Sequence, residues 1–477
     1  MSTAAEHLTF NYRPGDTIVR PRVEEETFAT AEAAAEPRDW GYFGLLAFTA
    51  VLLLRPQDKF PALQPLHLAE VCALVGILPM LVHRLTRRTA AFRVTPETIG
   101  LLVFGAAIVG TAPFSIWPGG ALDVFTDSYL KVVVVFVLML NTLTTTARLE
   151  KLTWLILLCT GLIAALSVVN YARGVNLIED GRLAGPIGGI FGNPNDLALN
   201  MVTFIPIAMV IAISRRHSAA RRATAAVIVA MMLATVVFTK SRGGLIGLVT
   251  AITVLSMLGG SVRRGFGAIT ILAVLVATPF MPTSFWNRMT TIFDQEQDAK
   301  EYTGSYEARQ LVAEDGINTF FAFPLTGVGA GQFKNYNPPE RKTHWLETHN
   351  VLIQVAAETG IVGLLAFLFL LARAAGAAFS TRRIVRDRSW LSFMSRTHRE
   401  DAARGIAEHT VGLTAGLAGF FVCSLFASVA YNWTFYYVLA LLVAGRELSF
   451  DQVRASIPAK LKKISVRTPA LSTQSAS

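Results

Sequence analysis

His349 is the residue whose type and position best suit chemistry. It ends a long hydrophilic loop, and the run that follows it is apolar enough to cross a bilayer, which takes about 20 residues. A histidine placed there lies where an aqueous loop meets the membrane, so it can serve one polar and one lipid-bound substrate. Because imidazole titrates near neutral pH, His349 can accept a proton or donate a hydrogen bond, and the sequence leaves both roles open.

The composition places this histidine in a membrane protein. Of the 477 residues, 52% are hydrophobic and 16% are charged, whereas about 25% are charged in a typical soluble chain. The mean hydropathy is +0.46. The net charge of +10 comes from short basic clusters between apolar runs, so it indicates membrane orientation rather than a nucleic-acid partner. A soluble multidomain enzyme is excluded.

The pattern of apolar runs predicts an all-α, polytopic membrane protein with about twelve transmembrane helices and one large periplasmic loop. The predicted spans are 40–56, 66–82, 97–116, 124–144, 150–171, 195–214, 223–240, 243–260, 265–281, 350–374, 408–428 and 430–446. The corresponding parts are a cytoplasmic tail at 1–39, nine spans within 40–280, the loop at 281–348, three spans within 349–446 and a cytoplasmic tail at 447–477.

The basic clusters give the orientation. They follow the even-numbered spans, and positive residues are enriched on the cytoplasmic side, so both termini are expected in the cytoplasm. Four basic residues fall on the outer side against this rule, and such exceptions point to a function: Arg55, Lys59, Lys240 and Arg242.

The loop at 281–348 is too long to be a plain connector. Residues 306–323 read as an amphipathic helix that Pro324 ends, and its predicted apolar side consists of Leu311, Ile317, Phe320 and Phe321. A glycine-rich turn then carries Gly327 and Gly329. Cys72, Cys159 and Cys423 lie in apolar runs, so neither a disulfide nor a zinc site is expected. No residue cluster has the spacing of metal ligands, and no metal is expected.

Four motifs follow one another over about 180–375. They are RLAGPIGGIFGNPNDLA at 182–198, KSRGG at 240–244, PLTGVGAGQF at 324–333, and His349-Asn350 followed after nine residues by Gly360-x-x-Gly363. In type, order and spacing they resemble the O-antigen ligase and O-antigen polymerase superfamily of bacterial membrane glycosyltransferases. The resemblance implies transfer of a glycan from undecaprenyl pyrophosphate to a sugar acceptor at the periplasmic face of the inner membrane, without metal or cofactor.

The resemblance also implies a set of site residues. The donor's diphosphate calls for arginines on the outer side, because a guanidinium pairs with phosphate in a bidentate way and keeps its charge. Catalytic roles go to His349 and Arg309, and pyrophosphate or sugar binding to Arg182, Arg242, Asn350, Asn193, Asn195, Gly327 and Gly329. Capping of a helix remains an alternative for Asn193 and Asn195, and a plain turn for the glycines.

Two versions of this activity stay open. In a polymerase the acceptor is another lipid-linked repeat unit, whereas in a ligase it is the lipid A core. The His349-Asn350 motif favours a ligase. Ligases are expected to carry Arg-x-x-x-Leu in the large loop, but Ala313 stands at that place after Arg309, which favours a polymerase. So does LLLRPQDKFPAL at 52–63, which resembles members linked to exopolysaccharide synthesis.

The implied partners are the lipid-linked donor, the glycan or lipid A-core acceptor, membrane lipid, a chain-length regulator and a flippase. A transporter of the same lipid-linked sugars is the alternative from another functional class. It predicts internal repeats and charged residues at mid-membrane. The sequence shows no repeat, and its long loop follows the ninth predicted span rather than the sixth.

Overall fold

The structure is a computed structural model that describes residues 39–86, 92–178, 181–188, 191–259, 305–343, 345–386 and 396–456. The described residues are almost entirely helical. The longer helices are α1 Trp40–Leu54, α2 Leu68–Thr86, α3 Pro96–Thr111, α4 Leu130–Thr142, α5 Thr146–Ala172, α6 Pro194–Ile213, α7 Ala219–Phe238, α8 Arg242–Leu258, α9 Ser305–Ala322, α10 Val351–Arg386, α11 Arg396–Ser424 and α12 Trp433–Ser456. Shorter helical turns are Pro56–Lys59, Pro61–Leu66, Ala112–Phe114, Pro118–Asp123, Val124–Tyr129 and Phe333–Asn335.

The described residues also contain one small sheet. Strand β1 Leu177–Ile178 pairs antiparallel with β2 Arg182–Leu183, and Ile178 stands opposite Arg182. The two strands form a hairpin between α5 and α6, so they place Arg182 shortly before α6 begins.

The prediction of an all-α membrane protein is confirmed. Seven helices in the described residues are long and apolar enough to cross a membrane, and α8 is a shorter apolar helix. Eleven of the twelve predicted spans coincide with helical segments, while the ninth, 265–281, lies outside the described residues. The total of twelve and the periplasmic side of the loop therefore stay predictions. The chain is a multi-pass membrane protein.

Helix α6 forms the centre of the bundle. Sixteen of its 20 residues are buried. It packs closely on α11, where a side-chain carbon added at Gly416 would lie 2.1 Å from the carbonyl oxygen of Thr203. At the contact of α8 with α11, a side-chain carbon added at Gly247 would lie 2.2 Å from the sulfur of Cys423. Small residues allow helices in lipid to approach closely, so these glycines bring α6, α8 and α11 together.

Helix α9 confirms the predicted helix at 306–323 and its end before Pro324. The predicted apolar side, however, is not the side that faces the protein. Ile317 is 46% exposed and Phe321 is 72% exposed, whereas Asp315 and Thr319 are buried. The reason is hydrogen bonding, because the Asp315 carboxylate accepts bonds from the backbone N–H and the hydroxyl of Thr343 at 3.0 and 2.6 Å.

Helix α10 is broken in the middle. Gly360 has φ 64° and ψ −163°, a conformation that side chains disfavour. The turn at 324–331 docks against the break and replaces helical hydrogen bonds. Ile361 donates to the Pro324 carbonyl at 2.8 Å, and Ala357 and Glu358 accept from Val328 and Gly329, both at 2.9 Å. Non-helical backbone is tolerated at membrane depth when neighbouring protein satisfies it, and this turn does so.

Candidate functional site

Three helices begin at the same end of the bundle and carry most of the predicted site residues. Asn193 caps α6 by accepting the N–H of Asn195 at 2.8 Å. Ser241 caps α8 by accepting the N–H of Gly244 at 3.1 Å, and Asn350 caps α10 by accepting the N–H groups of Leu352 and Ile353. Helix N-termini carry partial positive charge and favour anions nearby. The capping role considered for Asn193 is confirmed.

Arg182 is held at this end by a network of hydrogen bonds. Its guanidinium donates to the Asn195 side-chain oxygen at 2.7 Å and to the Thr239 carbonyl at 3.2 Å. Ser241 donates to the same Asn195 oxygen at 2.9 Å. Asn195 therefore joins the start of α6 to the start of α8 and fixes the direction of a buried arginine.

His349 precedes the Asn350 cap in a left-handed backbone conformation, with φ 47°. Its backbone N–H donates to the Ser428 hydroxyl at 3.0 Å, which ties it to the connection between α11 and α12. No described residue forms a hydrogen bond with either ring nitrogen. Non-glycine residues with positive φ are uncommon and gather at functional sites, where surrounding contacts hold them in place.

Burial and two nearby positive charges keep the His349 ring neutral. Burial, followed by the positive charges of Arg309 and Arg182, lowers the pKa of the imidazole from 6.5 to about 4. The structure therefore brings three predicted site residues into one electrostatic environment, although they come from α9, β2 and the start of α10. A neutral imidazole next to two guanidinium groups can accept a proton while the arginines bind an anion.

Two further basic residues stand at the turn that leads into α8. Arg242 is its first residue and is partly buried. Lys240 is buried and has φ 48°. Its ammonium would lie 3.4 Å from a side-chain carbon added at Gly181, the residue before Arg182. The sequence analysis named Lys240 as an exception to the charge rule but did not include it in the site. Its position in the KSRGG motif was the available signal.

Gly327 and Gly329 pack against the broken α10. Their φ angles are 59° and 99°, and a side-chain carbon would lie 2.4 Å from the Glu358 carbonyl carbon and 2.1 Å from the Ser115 hydroxyl, respectively. Their N–H groups already donate to carbonyl oxygens of Phe323 and Glu358. The structure thus uses these glycines for a close turn. Asn350 is also engaged, since its amide donates to the Leu425 carbonyl at 3.3 Å.

The comparison with known protein families agrees with this geometry. Residues 227–368 match the family model described as O-antigen ligase. The chain carries an O-antigen ligase domain. The superfamily inferred from the motifs is thereby confirmed, and the match indicates a membrane glycosyltransferase of the ligase or polymerase type. No curated protein matches the chain.

The O-antigen ligase domain runs from α7 into α10. It contains Arg242, Arg309, both glycines of the turn, His349 and Asn350, whereas Arg182, Asn193 and Asn195 precede it. The candidate site therefore combines residues of the matched segment with residues of the hairpin and of the start of α6.

A buried network of hydrogen bonds around Glu358 connects the segments that surround His349. The Glu358 carboxylate accepts hydrogen bonds from the Gly331 N–H and the Tyr431 hydroxyl, both at 2.9 Å, and from the Gln354 amide at 3.4 Å. Gln354 in turn accepts from the N–H of Ala430 at 3.1 Å. The network joins the glycine turn, α10 and the connection that carries Ser428.

Arg341 clamps the loop of the O-antigen ligase domain just before His349. Its buried guanidinium donates to the carbonyl oxygens of Phe333 and Tyr336, and to that of Leu346 at 2.8 Å. It also lies over the Phe333 ring at 4.1 Å. The sequence analysis did not single out Arg341. Within the described residues, no group of three or more His, Cys, Asp or Glu side chains could hold a metal ion.

Proposed function

We propose that the protein transfers a glycan from undecaprenyl pyrophosphate to a sugar hydroxyl at the periplasmic face of the inner membrane, as a polymerase of polysaccharide repeat units. The observation that carries this proposal is the neutral His349 ring within the field of Arg182 and Arg309. Such a group suits a reaction in which a hydroxyl must lose a proton while a diphosphate departs.

The chemistry follows from the roles of these groups. The acceptor oxygen attacks the anomeric carbon of the donor glycan, and the bond from that carbon to the phosphate oxygen breaks. His349 accepts the hydroxyl proton, and undecaprenyl pyrophosphate leaves with both electrons of the broken bond. Arg182 and Arg309 stabilise the charge that develops on the departing diphosphate, because charge-assisted hydrogen bonds to phosphate are strong. Direct displacement inverts the configuration at the anomeric carbon.

The arginines also take the part that a metal ion has in many reactions of phosphate esters. A guanidinium supplies permanent positive charge and several donors without a bound cation. The proposed reaction is therefore metal-independent, and transfer should continue at full rate in the presence of a chelator.

The ligase is the second candidate, because the family description and the His349-Asn350 motif both favour it. Ala313 favours the polymerase, since it occupies the place of the leucine expected in a ligase. It lies one turn beyond Arg309 on α9 and is partly buried. The two candidates share the donor, the bond that breaks and the site, and they differ in the acceptor.

The test is the size and lipid attachment of surface glycan in a strain that lacks the gene, complemented with native protein or with His349→Ala at equal protein level. A polymerase predicts that the deletion leaves single repeat units and that His349→Ala does not restore long chains. Long chains that stay on undecaprenyl pyrophosphate in the deletion would identify a ligase instead. Precursor confined to the cytoplasmic leaflet would contradict both transferases and indicate a transporter.

A further inference from the structure

A cavity lies in the large loop, outside the site around His349. Its volume is about 200 Å³, and it opens between α9 and the segment 336–341. The residues that line it are mostly polar: Asp315, Asn318, Thr319, Ala322, Tyr336, Pro338, Glu340 and Arg341. Neither the family match nor the chemistry proposed above gives this cavity a role.

The walls of the cavity are fixed by buried hydrogen bonds. Asp315 accepts from Thr343, as described above, and Arg341 holds three carbonyl groups of the same loop. Their charged groups lie 3.9 Å apart, and both side chains are almost fully buried. Thr319 donates to the Asp315 carbonyl at 2.7 Å. The cavity is therefore a preformed feature of the folded loop, and its frame does not depend on a ligand.

Three groups on the lining are available to a ligand. The Asn318 amide, the Tyr336 hydroxyl and the Glu340 carboxylate have no hydrogen-bond partner among the residues that the structure describes. The Tyr336 ring is held edge-to-face against Phe323, with centroids 5.6 Å apart, and packs on the small core formed by Val312, Val328, Phe333 and Ala357. The cavity thus offers a fixed aromatic ring together with an amide, a hydroxyl and a carboxylate.

This combination suits a sugar residue. A pyranose ring presents C–H groups that pack on an aromatic ring and a rim of hydroxyls that donate and accept hydrogen bonds. Amide and carboxylate side chains satisfy such hydroxyls, and Tyr supplies an apolar body with a polar tip. The mouth faces water, because the neighbouring pair Glu314 and Lys342, 3.0 Å apart, is 53% exposed on both sides.

The cavity is separate from the reacting centre. Asn318 follows Arg309 by nine residues on α9, which corresponds to two and a half turns and about 14 Å along the axis. The half turn puts the two side chains on opposite faces of the helix. A ligand in the cavity therefore lies on the side of α9 away from Arg309, and it can belong to the same glycan chain as the sugar that reacts.

We propose that this cavity is a binding subsite for a sugar residue of the glycan other than the one that reacts. Its assignment to a glycan chain rests on the proposed function. In a polymerase, such a subsite retains a growing chain between additions, and it selects chains by their shape because the Tyr336 ring and the walls of the cavity are fixed.

The test measures binding rather than transfer. The native full-length protein in lipid nanodiscs is titrated calorimetrically with oligosaccharides of one to three repeat units, released by partial acid hydrolysis of the host's own surface polysaccharide. Asn318→Leu and Tyr336→Ala are expected to weaken binding at least tenfold. Glu314→Gln, on the same helix but outside the cavity, is expected to bind as the native protein does.

Thermal unfolding in nanodiscs checks that the variants fold, and Tyr336→Phe gives a second probe that keeps the packed ring. It is expected to weaken binding less than Tyr336→Ala. The proposal is overturned if the native protein binds none of the oligosaccharides, or if the folded cavity variants bind them as tightly as Glu314→Gln.

Transfer kinetics then show whether the cavity binds the acceptor chain or the donor chain. If the cavity holds the acceptor chain, Asn318→Leu raises KM for the acceptor with little change in kcat; if it holds the donor chain, KM for the donor rises instead. Binding through the cavity together with unimpaired transfer by His349→Ala would contradict the proposed active site and leave the subsite standing. If the cavity variants bind the oligosaccharides as the native protein does while His349→Ala abolishes transfer, the subsite alone is overturned.

Discussion

At the residue scale, the account depends on how burial and two arginines from distant parts of the sequence act on one imidazole. Arg182 and Arg309 lie 127 residues apart in sequence, yet both charges reach His349. The types of these residues were predictable, because motifs of the superfamily mark them. The neutral state of His349 was not, since it depends on burial and on the distances between charges. Lys240 and Ser428 were missed as well, the latter without any signal in the sequence.

The pKa of His349 gives the first prediction. In the free protein its pKa is lowered from 6.5 to about 4, so the ring is deprotonated above about pH 4. A base works when deprotonated, so kcat/KM should stay high from neutral pH down to about pH 5 and fall as the pH passes through about 4. Arg309→Gln removes a positive charge that opposes protonation, so it should move this acid limb towards higher pH.

The measurement is a pH profile of kcat/KM for transfer by purified native protein and Arg309→Gln. Glu314→Gln serves as a control on the same helix, since Glu314 is half exposed and pairs with Lys342. An acid limb near pH 6.5 in the native protein would contradict the lowered pKa of His349. A limb that Arg309→Gln leaves in place would show that Arg309 does not affect the protonation of His349.

At the element scale, the broken α10 is the feature that positions the site. The sequence predicted one apolar span after His349, and Gly360 and Gly363 were recognised only as part of a motif. The break could not be predicted from hydrophobic periodicity, because that pattern describes each helix alone. It arises where the turn at 324–331 supplies the hydrogen bonds that the helix loses. The buried side of α9 was wrongly predicted for a related reason, since Asp315 is buried by partners elsewhere in the loop.

Two glycines of α10 give the second prediction. Gly360→Ala puts a side chain where φ is 64° and where the Leu325 carbonyl oxygen would be 2.5 Å away, so it should destabilise the protein by several kcal/mol. Gly376→Ala is the matched control, because no atom lies within 4 Å of the added carbon and alanine favours a helix by about 1 kcal/mol.

The readouts are the apparent unfolding temperature in detergent and the amount of protein in the membrane. Gly360→Ala should lower both, and Gly376→Ala should leave both unchanged or slightly higher. Equal behaviour of the two variants would mean that α10 tolerates a regular helix at Gly360 and that the docked turn is not required.

At the scale of the whole molecule, the class of protein was predictable from composition and apolar runs. Eleven of the predicted spans coincide with helical segments because the bilayer imposes a length and a hydropathy on each helix. Which helices pack against one another was not predictable. The central place of α6 depends on close contacts at glycines of α11, and these spacings have no signature in a single sequence.

Orientation gives the third prediction. Both termini should be cytoplasmic, and the loop that carries α9 should be periplasmic. Glu340→Cys in that loop should react with a membrane-impermeant maleimide in intact cells, whereas Arg221→Cys, 62% exposed at the start of α7, should react only after the inner membrane is opened. The unmodified protein controls for Cys72, Cys159 and Cys423. Labelling of Arg221→Cys in intact cells would contradict the orientation.

The most direct measurement of the central claim is glycan transfer by the purified protein in liposomes that contain only lipid-linked repeat units from the deletion strain. The native protein is expected to release undecaprenyl pyrophosphate and lengthen the glycan, with or without a chelator. His349→Ala should be at least about 100-fold slower, since a positioned general base contributes about 10²–10⁴ in rate. His67→Ala, which alters an exposed histidine, should match the native protein. Transfer by His349→Ala at the native rate would contradict the account.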